Sequence, residues 1–400
     1  MTEASPIAST RRYHGLDALR AGAMALGVVL HAAAPYLRYP MDGLVWAVDG
    51  PVAGTAGFPW ADAIFWWLHA WRVPLFFVLA GFFAAMLVER RGVRAFLKHR
   101  TERVLWPLGL ACVLILPATY FAFAWGWSTT GLATWSDVLR ISFGKGLVKD
   151  DVLGPAHLWF LVYLYLFCVI HAGMARLWPR GWRMPAGRRR WHGACGLVVI
   201  VGVTATIVRG HDAVALTFEN DFVPRPLEFV YQLWFFVVGV AMYHGRGMLD
   251  GLGRHAGAWA CVLAVAAISL VPTTTTHLAR TQGPLADGGL PWVFAAVWAG
   301  SAWLSILALL AAAVRWLGTP RAWVRWLSDS AYWVYLTHVP LVALVHVALH
   351  GTAVPIGVRF GIAVLGPLAA TLLSYRYLVR YTMVGVWLHG RRERPPRPPA

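Results

Sequence analysis

The chain carries little charge and few cysteines for its length. Asp, Glu, Lys and Arg together make up 13% of the 400 residues, about half the share found in an ordinary soluble domain. The four cysteines lie singly in apolar runs without a CxxC spacing, so they predict neither a disulfide framework nor a metal site. The GxGxxG, Walker A, HExxH and GxSxG patterns are also missing. These absences argue against soluble nucleotide-binding proteins, zinc proteases and serine hydrolases.

Long apolar runs take the place of those features. Apolar residues make up 58% of the chain, and runs of about 17–25 residues are long enough to cross a hydrocarbon core of about 30 Å. We therefore predict an all-α, polytopic integral membrane protein with about ten transmembrane helices. The predicted spans are residues 16–37, 61–88, 104–126, 157–177, 193–209, 226–244, 256–272, 291–314, 327–349 and 354–379.

The net charge of +17 is distributed unevenly among the connections between these spans. Arg and Lys concentrate before the first span, in the even-numbered connections and in the tail, whereas nine of the 18 acidic residues lie in the odd-numbered connections. The positive-inside rule then places both termini in the cytoplasm and gives the charge no role in binding nucleic acid. We divide the chain into a cytoplasmic N-terminal segment (1–15), a transmembrane domain (16–381) and a disordered basic tail near lipid headgroups (382–400).

Arg20 and His31 are the most informative pair of residues in the first span. Eleven helical steps separate them by about 16 Å along the axis and leave both on one face. Charged and titratable groups inside a span usually face a cavity, a partner or a substrate path. The pair therefore suggests a ligand with an anionic head and a reactive tail. Asp17, three residues earlier, is expected to orient Arg20.

Other polar side chains fall at a similar predicted depth in the outer half of the membrane. They are His69 and Arg72 in the second span, His157 at the start of the fourth and His338 in the ninth. We predict that they meet His31 around one outer cavity, which Trp71 would line if its helix face points inward. An intramembrane histidine can also be a simple interhelical hydrogen-bonding residue, and this alternative stays open for each of the three.

Three further positions have ordinary structural explanations. Arg100 and Arg103, at the start of the third span, are by position alone anchors of the positive-inside type. Asp329 is expected to cap the ninth helix, with the neighbouring Ser328 as a competing cap.

Five blocks of the sequence resemble the acyltransferase family 3 membrane proteins, and together they span nearly the whole chain. The first block contains Arg20, ten residues and then His31, the hallmark of that family. The blocks are YHGLDALRAGAMALGVVLHA, RVPLFFVLAGFF from Arg72, RTERVLWP with Arg100 and Arg103, HLWFLVYLYLF from His157, and SDSAYWVYLTHVPL from Ser328.

The resemblance implies transfer of an acyl group, succinyl or alternatively acetyl, across the bacterial inner membrane. The donor substrate would be cytoplasmic acyl-CoA, and the acceptor would be a hydroxyl of a periplasmic glucan or another glycan. No permanently bound cofactor and no metal are expected, and the sequence predicts no oligomeric state. Arg20, Arg100 and Arg103 would bind the phosphates of CoA.

On the same implication, His31 would act as general base on the sugar hydroxyl. Arg72, with His69 or His338 beside it, would stabilise the oxyanion or bind a succinyl carboxylate, and His157 would contact the substrate. Both direct transfer and an acyl-histidine intermediate fit these residues.

Intramembrane His and Arg also occur in transporters, so a transporter or flippase of an acyl donor or glycan is the rival hypothesis. A carrier of that kind predicts inverted repeats with paired broken helices, and the two halves of this sequence show no convincing repeat.

Overall fold

The fold of the protein is seen in a computed structural model that describes residues 13–48, 57–140, 154–177, 192–210, 213–218, 220–281 and 290–389. Within these ranges the chain is helical and contains no strand beyond one isolated bridge between Asp42 and Thr217. The N-terminal segment 1–12 and the tail 390–400, for which separate cytoplasmic segments are predicted, lie outside the described residues. The side of the membrane on which the termini lie stays a prediction from the charge pattern.

Fourteen α-helices lie in the described part of the chain. In order, they are α1 His14–Ala33, α2 Pro59–Arg100, α3 Trp106–Thr130, α4 Trp135–Arg140, α5 Trp159–Leu177, α6 His192–Gly210, α7 Ala213–Leu216, α8 Pro226–His244, α9 Gly247–Arg254, α10 Ala256–Thr281, α11 Trp292–Trp316, α12 Ala322–Leu349, α13 Ile356–Ser374 and α14 Met383–His389.

The long helices confirm a polytopic, all-α membrane protein. Eight helical segments of the described chain are long and apolar enough to cross a membrane. One of them, Pro59–Thr130, is 72 residues long and contains both the second and the third predicted span. The fifth predicted span corresponds to a shorter apolar helix, Cys195–Gly210. Each of the ten predicted spans therefore coincides with helix, although one of them is shorter than a standard crossing.

A glycine and a stretch of π-helix interrupt the 72-residue segment. Gly92 has φ 77° and ψ 164°, a conformation that breaks the helix and that only glycine adopts without strain. A π-helical stretch, Thr101–Leu105, then precedes α3. Two membrane-length helices, residues 59–91 and 106–130, are thus joined through the basic residues of the second connection.

The centre of the bundle is formed by α1, α2, α11 and α12. In their most apolar windows 56–61% of the residues are buried, against 17% in α10 and α13, which lie at the periphery. α1 packs against α2, α11 and α12, and α8 packs along α2. The predicted site residues lie mainly on these central helices, where side chains can face an interior cavity instead of lipid.

Two predictions about where helices begin and where the tail becomes disordered are wrong. α12 begins at Ala322, six residues before Ser328, so neither Ser328 nor Asp329 caps it. The apolar side chains of Trp323, Trp326 and Leu327 continue the helical pattern upstream, which extends the helix. Likewise, residues 383–389 of the predicted disordered tail form α14, because an apolar stretch precedes the basic Pro-rich residues.

Candidate active site

Arg20 and His31 form a polar stripe on one face of α1, and each of them contacts a polar residue of α12. Arg20 Nη2 donates a hydrogen bond to Ser328 Oγ at 3.0 Å, and eleven residues later the His31 ring lies 5.2 Å from the His338 ring between centroids. The two helices therefore run parallel, as two odd-numbered spans should. The expected contact of Arg20 with Asp17 is also present, at 3.6 Å between Nη2 and Oδ1.

His31 lines a large interior cavity. The cavity has a volume of about 1110 Å³, slightly above the range of about 300–1,000 Å³ usual for small-molecule sites. His69, Arg72, His157 and His338 line the same cavity. The structure thus brings together the four histidines and the arginine that the sequence placed at one depth.

His31 differs from the neighbouring histidines in its hydrogen bonding. His338 Nδ1 donates to the backbone oxygens of Val334 and Tyr335, each at 2.9 Å, and His157 Nε2 donates to Leu336 O at 3.0 Å. These bonds hold both rings as fixed tautomers. No residue in the described part of the chain forms a hydrogen bond with the His31 side chain, so both of its ring nitrogens are available to a ligand.

The ring of His31 is held by packing. The Trp46 indole stacks on it, with ring centroids 5.9 Å apart and planes 16° from parallel. Trp46 is held in turn by its Nε1–H bond to His346 Nδ1 at 2.9 Å and by the Trp127 Nε1–H bond to its carbonyl at 3.0 Å. Sequence reasoning missed Trp46, which lies in a connection with no motif that marks it.

Arg72 projects from α2 toward α1. A Cβ atom built on Gly27 would overlap the Arg72 Nη1 atom, so the guanidinium lies directly against the α1 backbone. Its Nε is buried without a hydrogen-bond partner in the described chain. Of the three arginines that line the cavity, Arg38 and Arg225 form ion pairs with Asp62 and Asp221 at 2.7 and 2.9 Å. Arg72 has no such partner among the described residues, which leaves its charge available to an anionic group.

His69 lies one helical turn before Arg72 and is surrounded by aromatic rings. It stacks on Phe65, with centroids 5.7 Å apart, and meets the edges of Trp66 and Trp298 at 5.9 and 6.0 Å. Its position in the cavity wall is therefore fixed by ring packing together with a hydrogen bond to the backbone of Ala215.

His157 follows a residue with an unusual backbone conformation. Ala156 has φ 45°, a left-handed conformation that costs a non-glycine residue about 1 kcal/mol or more. Its N–H donates to Asn220 Oδ1 at 2.8 Å, and the His157 carbonyl accepts from Tyr335 Oη at 2.7 Å. These contacts hold the strained turn and direct the His157 ring into the cavity.

Three odd-numbered connections surround the cavity mouth. The first connects to the fifth through the Phe218 N–H bond to Asp42 O at 2.7 Å and the Asp42 N–H bond to Leu216 O at 3.3 Å. The fifth reaches the third through the contact of Asn220 with Ala156. These three connections therefore share one side of the bundle, as the alternation in the charge pattern predicts.

A buried carboxylate, also missed by sequence reasoning, fastens the first connection to α2. Asp62 is fully buried and accepts from Arg38 Nε at 2.7 Å, from Arg38 N at 3.0 Å and from Tyr39 N at 3.4 Å. The sequence did offer a signal for this ion pair. Asp62 is an acidic residue at the start of an apolar run, and the connection before it contains Arg38.

The structure places Arg20, Arg100 and Arg103 away from this cavity, near the other end of α1. Arg100 lies within electrostatic range of both Arg20 and Arg103. Its Nε is buried and has no hydrogen-bond partner in the described chain. Guanidinium groups repel one another, so their clustering at one end of the bundle suits a polyanionic ligand.

The structure does not bring Trp71 to the cavity. Its side chain is buried and packs against Trp67, with ring centroids 5.6 Å apart. Residue 71 lies about 200° around the helix from His69 and about 100° from Arg72, so it points to another face of α2. Its position does not support a direct contact with substrate.

The cluster of imidazoles is not arranged as a metal centre. The described residues contain no group of three or more His, Cys, Asp or Glu side chains that could hold a metal ion. Besides His69, the described cavity lining offers one guanidinium without an ion-pair partner, one imidazole open to a ligand and two imidazoles with fixed tautomers, a set suited to moving a proton beside a developing negative charge.

Comparison with known proteins identifies the family. A family model described as an acyltransferase domain matches residues 13–376. The chain belongs to acyltransferase family 3. Membership in this family makes the protein a membrane acyltransferase.

Curated relatives of this acyltransferase include proteins named glucans biosynthesis protein C. The one from Salmonella gallinarum is 26% identical over 176 residues, 44% of this chain and 42% of the relative. The one from Salmonella paratyphi B is 26% identical over 170 residues, 42% of this chain and 40% of the relative. The chain thus matches about two-fifths of the length of these relatives. No solved structure matches the chain.

Proposed function

We propose that this acyltransferase moves an acyl group, succinyl or alternatively acetyl, from cytoplasmic acyl-CoA to a hydroxyl of a periplasmic glucan or another glycan. In this proposal the protein lies in the bacterial inner membrane with both termini in the cytoplasm, and His31 is the general base. The names of the relatives, glucans biosynthesis protein C, favour a glucan as the acceptor. The family assignment favours this enzyme over the rival transporter or flippase.

The observation that carries the proposal is the state of the His31 ring. It lines the cavity, stacks on Trp46 and has no hydrogen bond to a described residue, whereas His157 and His338 are engaged with backbone carbonyls. A general base needs an unprotonated nitrogen within reach of the hydroxyl proton that it accepts. His31 meets this need, and packing on Trp46 limits the directions in which the base can point.

The proposed reaction uses His31 and Arg72 together. A ring nitrogen of His31 accepts the hydroxyl proton while the sugar oxygen attacks the thioester carbonyl carbon. The carbonyl oxygen becomes an oxyanion beside the Arg72 guanidinium. The tetrahedral intermediate then collapses, the carbon–sulfur bond breaks, and the leaving thiolate takes the proton from His31, which yields the ester and free CoA. Because no described carboxylate pairs with Arg72, its charge is available to the oxyanion or to a succinyl carboxylate.

The two ends of the α1 stripe suggest the path of the donor. Arg20, Arg100 and Arg103 would bind the phosphates of CoA at the end of α1 away from the cavity. The pantetheine arm would follow the seam between α1 and α12 over the approximately 16 Å that separates Arg20 from His31. The thioester would then reach the cavity wall formed by His31 and Arg72.

The remaining histidines would position the reacting groups. His338 donates from Nδ1 to backbone carbonyls, so its Nε2 is a lone-pair acceptor on the wall beside His31. His157, fixed through Leu336, lies 5.6 Å from His338 between ring centroids. His69 borders Arg72 on α2. We assign these three to orienting His31, the acyl group and the acceptor.

The experiment that tests the proposal measures transfer of labelled acyl groups from succinyl-CoA and acetyl-CoA to glucan by the purified protein. His31→Ala should lower kcat by about 10²–10⁴-fold, the usual contribution of a general base. The matched control is His350→Ala, since His350 is exposed at the end of α12 and does not line the cavity. Full transfer by His31→Ala would exclude the general-base role. Movement of donor or glucan across vesicles without transfer would support the carrier instead.

A further inference from the structure

The cavity has a second wall that the proposed transfer step does not use. It is formed by α5 and α8 and carries Trp159, Tyr163, Glu228, Tyr231 and Gln232, all of which line the same cavity as His31. We call this set the α5–α8 wall. Its chemistry differs from that of the wall with His31 and Arg72, since it combines a carboxylate, an amide, phenols and an indole.

Glu228 and Gln232 lie one turn apart on α8, so their side chains share a helix face. Tyr163 Oη donates to Glu228 Oε2 at 3.4 Å, which connects the carboxylate to α5. Gln232 Oε1 is buried and has no hydrogen-bond partner in the described chain. A buried amide oxygen without a partner costs free energy, and a ligand hydroxyl in the cavity would satisfy it.

Among the aromatic residues of this wall, Trp159 presents its indole to the cavity. Trp159 is half-buried and meets Tyr163 edge to face, with ring centroids 5.1 Å apart. Tyr231 is buried, and its Oη accepts from Trp298 Nε1 at 3.4 Å. Since Trp298 also contacts His69, the wall is connected by direct contacts to the side of the cavity where the reaction is proposed.

The negative charge of the α5–α8 wall disfavours the anionic acyl donor and favours the neutral acceptor. Glu228 repels phosphates and an acyl carboxylate, and Arg225, which immediately precedes α8, is paired with Asp221. A carboxylate and an amide bind neutral hydroxyl groups well, and the face of an indole packs against the C–H face of a sugar ring. This set of groups fits an uncharged, hydroxyl-rich ligand.

We infer that the α5–α8 wall is the acceptor subsite, where Glu228 and Gln232 bind hydroxyls of a neutral sugar and Trp159 packs against its ring. The wall thereby presents another hydroxyl of the same sugar to His31. This inference rests on the proposed function, because it assumes that a glycan is the acceptor. It assigns the two substrates to opposite walls of one cavity.

The test compares Glu228→Gln and Gln232→Leu with the wild type, with unsubstituted periplasmic glucan as the acceptor. We expect the KM for glucan to rise about 10-fold or more in each variant, as the loss of one hydrogen bond to a ligand predicts. The KM for acyl-CoA should stay unchanged. Glu89→Gln is the charge-matched control, since Glu89 is exposed, does not line the cavity, and contacts Arg246 at 3.9 Å and Tyr243 instead.

The outcomes separate this inference from the proposed function. An unchanged KM for glucan in both variants, or an equal rise in the KM for acyl-CoA, would overturn the acceptor subsite while transfer by the wild type still stands. If the wild type hydrolyses acyl-CoA but acylates no glucan, the proposed acceptor is wrong. In that case tryptophan fluorescence titration with glucan still decides the inference, because equal binding by wild type and Gln232→Leu would contradict it.

Discussion

Gly27 offers a direct test of the placement of Arg72. The glycine lies in the middle of α1, and a Cβ atom at this position would overlap Arg72 Nη1 and lie 3.2 Å from Cζ. The contact is with the far end of a flexible side chain, so in Gly27→Ala the guanidinium should move while the two helices keep their packing.

The size of the effect follows from ordinary contact distances. Non-bonded atoms settle at about 3.5–4.0 Å, so the guanidinium must shift by about 1 Å to accommodate the methyl group. A displacement of about 1 Å in a reacting site can lower the rate by about 10²-fold. Removal of one oxyanion donor has a similar effect, about 10²–10³-fold. We therefore expect kcat/KM of Gly27→Ala to fall by about 10²-fold.

Gly22→Ala on the same helix is the matched control, because a Cβ there meets no atom within 4 Å. Both substitutions favour the helix by about 1 kcal/mol, so neither should lower the melting temperature in detergent. The assay is labelled acyl transfer, measured alongside thermal unfolding. If Gly27→Ala keeps the wild-type kcat/KM, the reaction does not require the Arg72 guanidinium at its observed position. If Gly22→Ala loses as much kcat/KM as Gly27→Ala, the loss comes from the change in the α1 backbone and not from Arg72.

Two further predictions concern parts of the bundle outside the cavity. Arg100→Met should raise the KM for acyl-CoA about 10- to 100-fold, the effect of one charge-assisted phosphate contact, and leave the KM for glucan unchanged. Arg94→Met, at an exposed position of the same basic connection, is its control, and equal effects of the two on KM would count against a specific phosphate contact. Thr204→Val should destabilise the protein by about 2–3 kcal/mol, because buried Thr204 Oγ1 accepts from Trp234 Nε1 and Trp303 Nε1 at 3.1 and 2.8 Å. Thermal unfolding measures this loss, and an unchanged melting temperature would show that the two indoles find other partners.

The parallel seam between α1 and α12 explains why widely separated residues form one site. Ser328 and His338 are ten residues apart on α12, and Arg20 and His31 are eleven apart on α1, so the two stripes have nearly equal lengths. Parallel packing then places each polar residue of one helix beside a polar residue of the other. In the proposed function, this seam is the path of the pantetheine arm.

The sequence by itself predicted the class of fold and the five polar residues of one cavity wall. Apolar runs of membrane length and alternating charge predict the spans and their direction, since both follow from the cost of placing polar groups in lipid. Depth along a helix follows from residue number alone. His31, His69, Arg72, His157 and His338 could therefore be placed at one level before their lateral arrangement was known.

Only the tertiary structure decided which side chains at that level face one another. The packing of α5 on α8 brings Glu228 and Gln232 into the cavity, whereas the helical period alone already places Trp71 on another face of α2 than His69 and Arg72. The stacking of Trp46 on His31 and the anchoring of Arg38 by Asp62 depend on how a connection folds back over the bundle. These contacts depend on lateral packing and loop geometry, for which hydropathy and helical period carry no information.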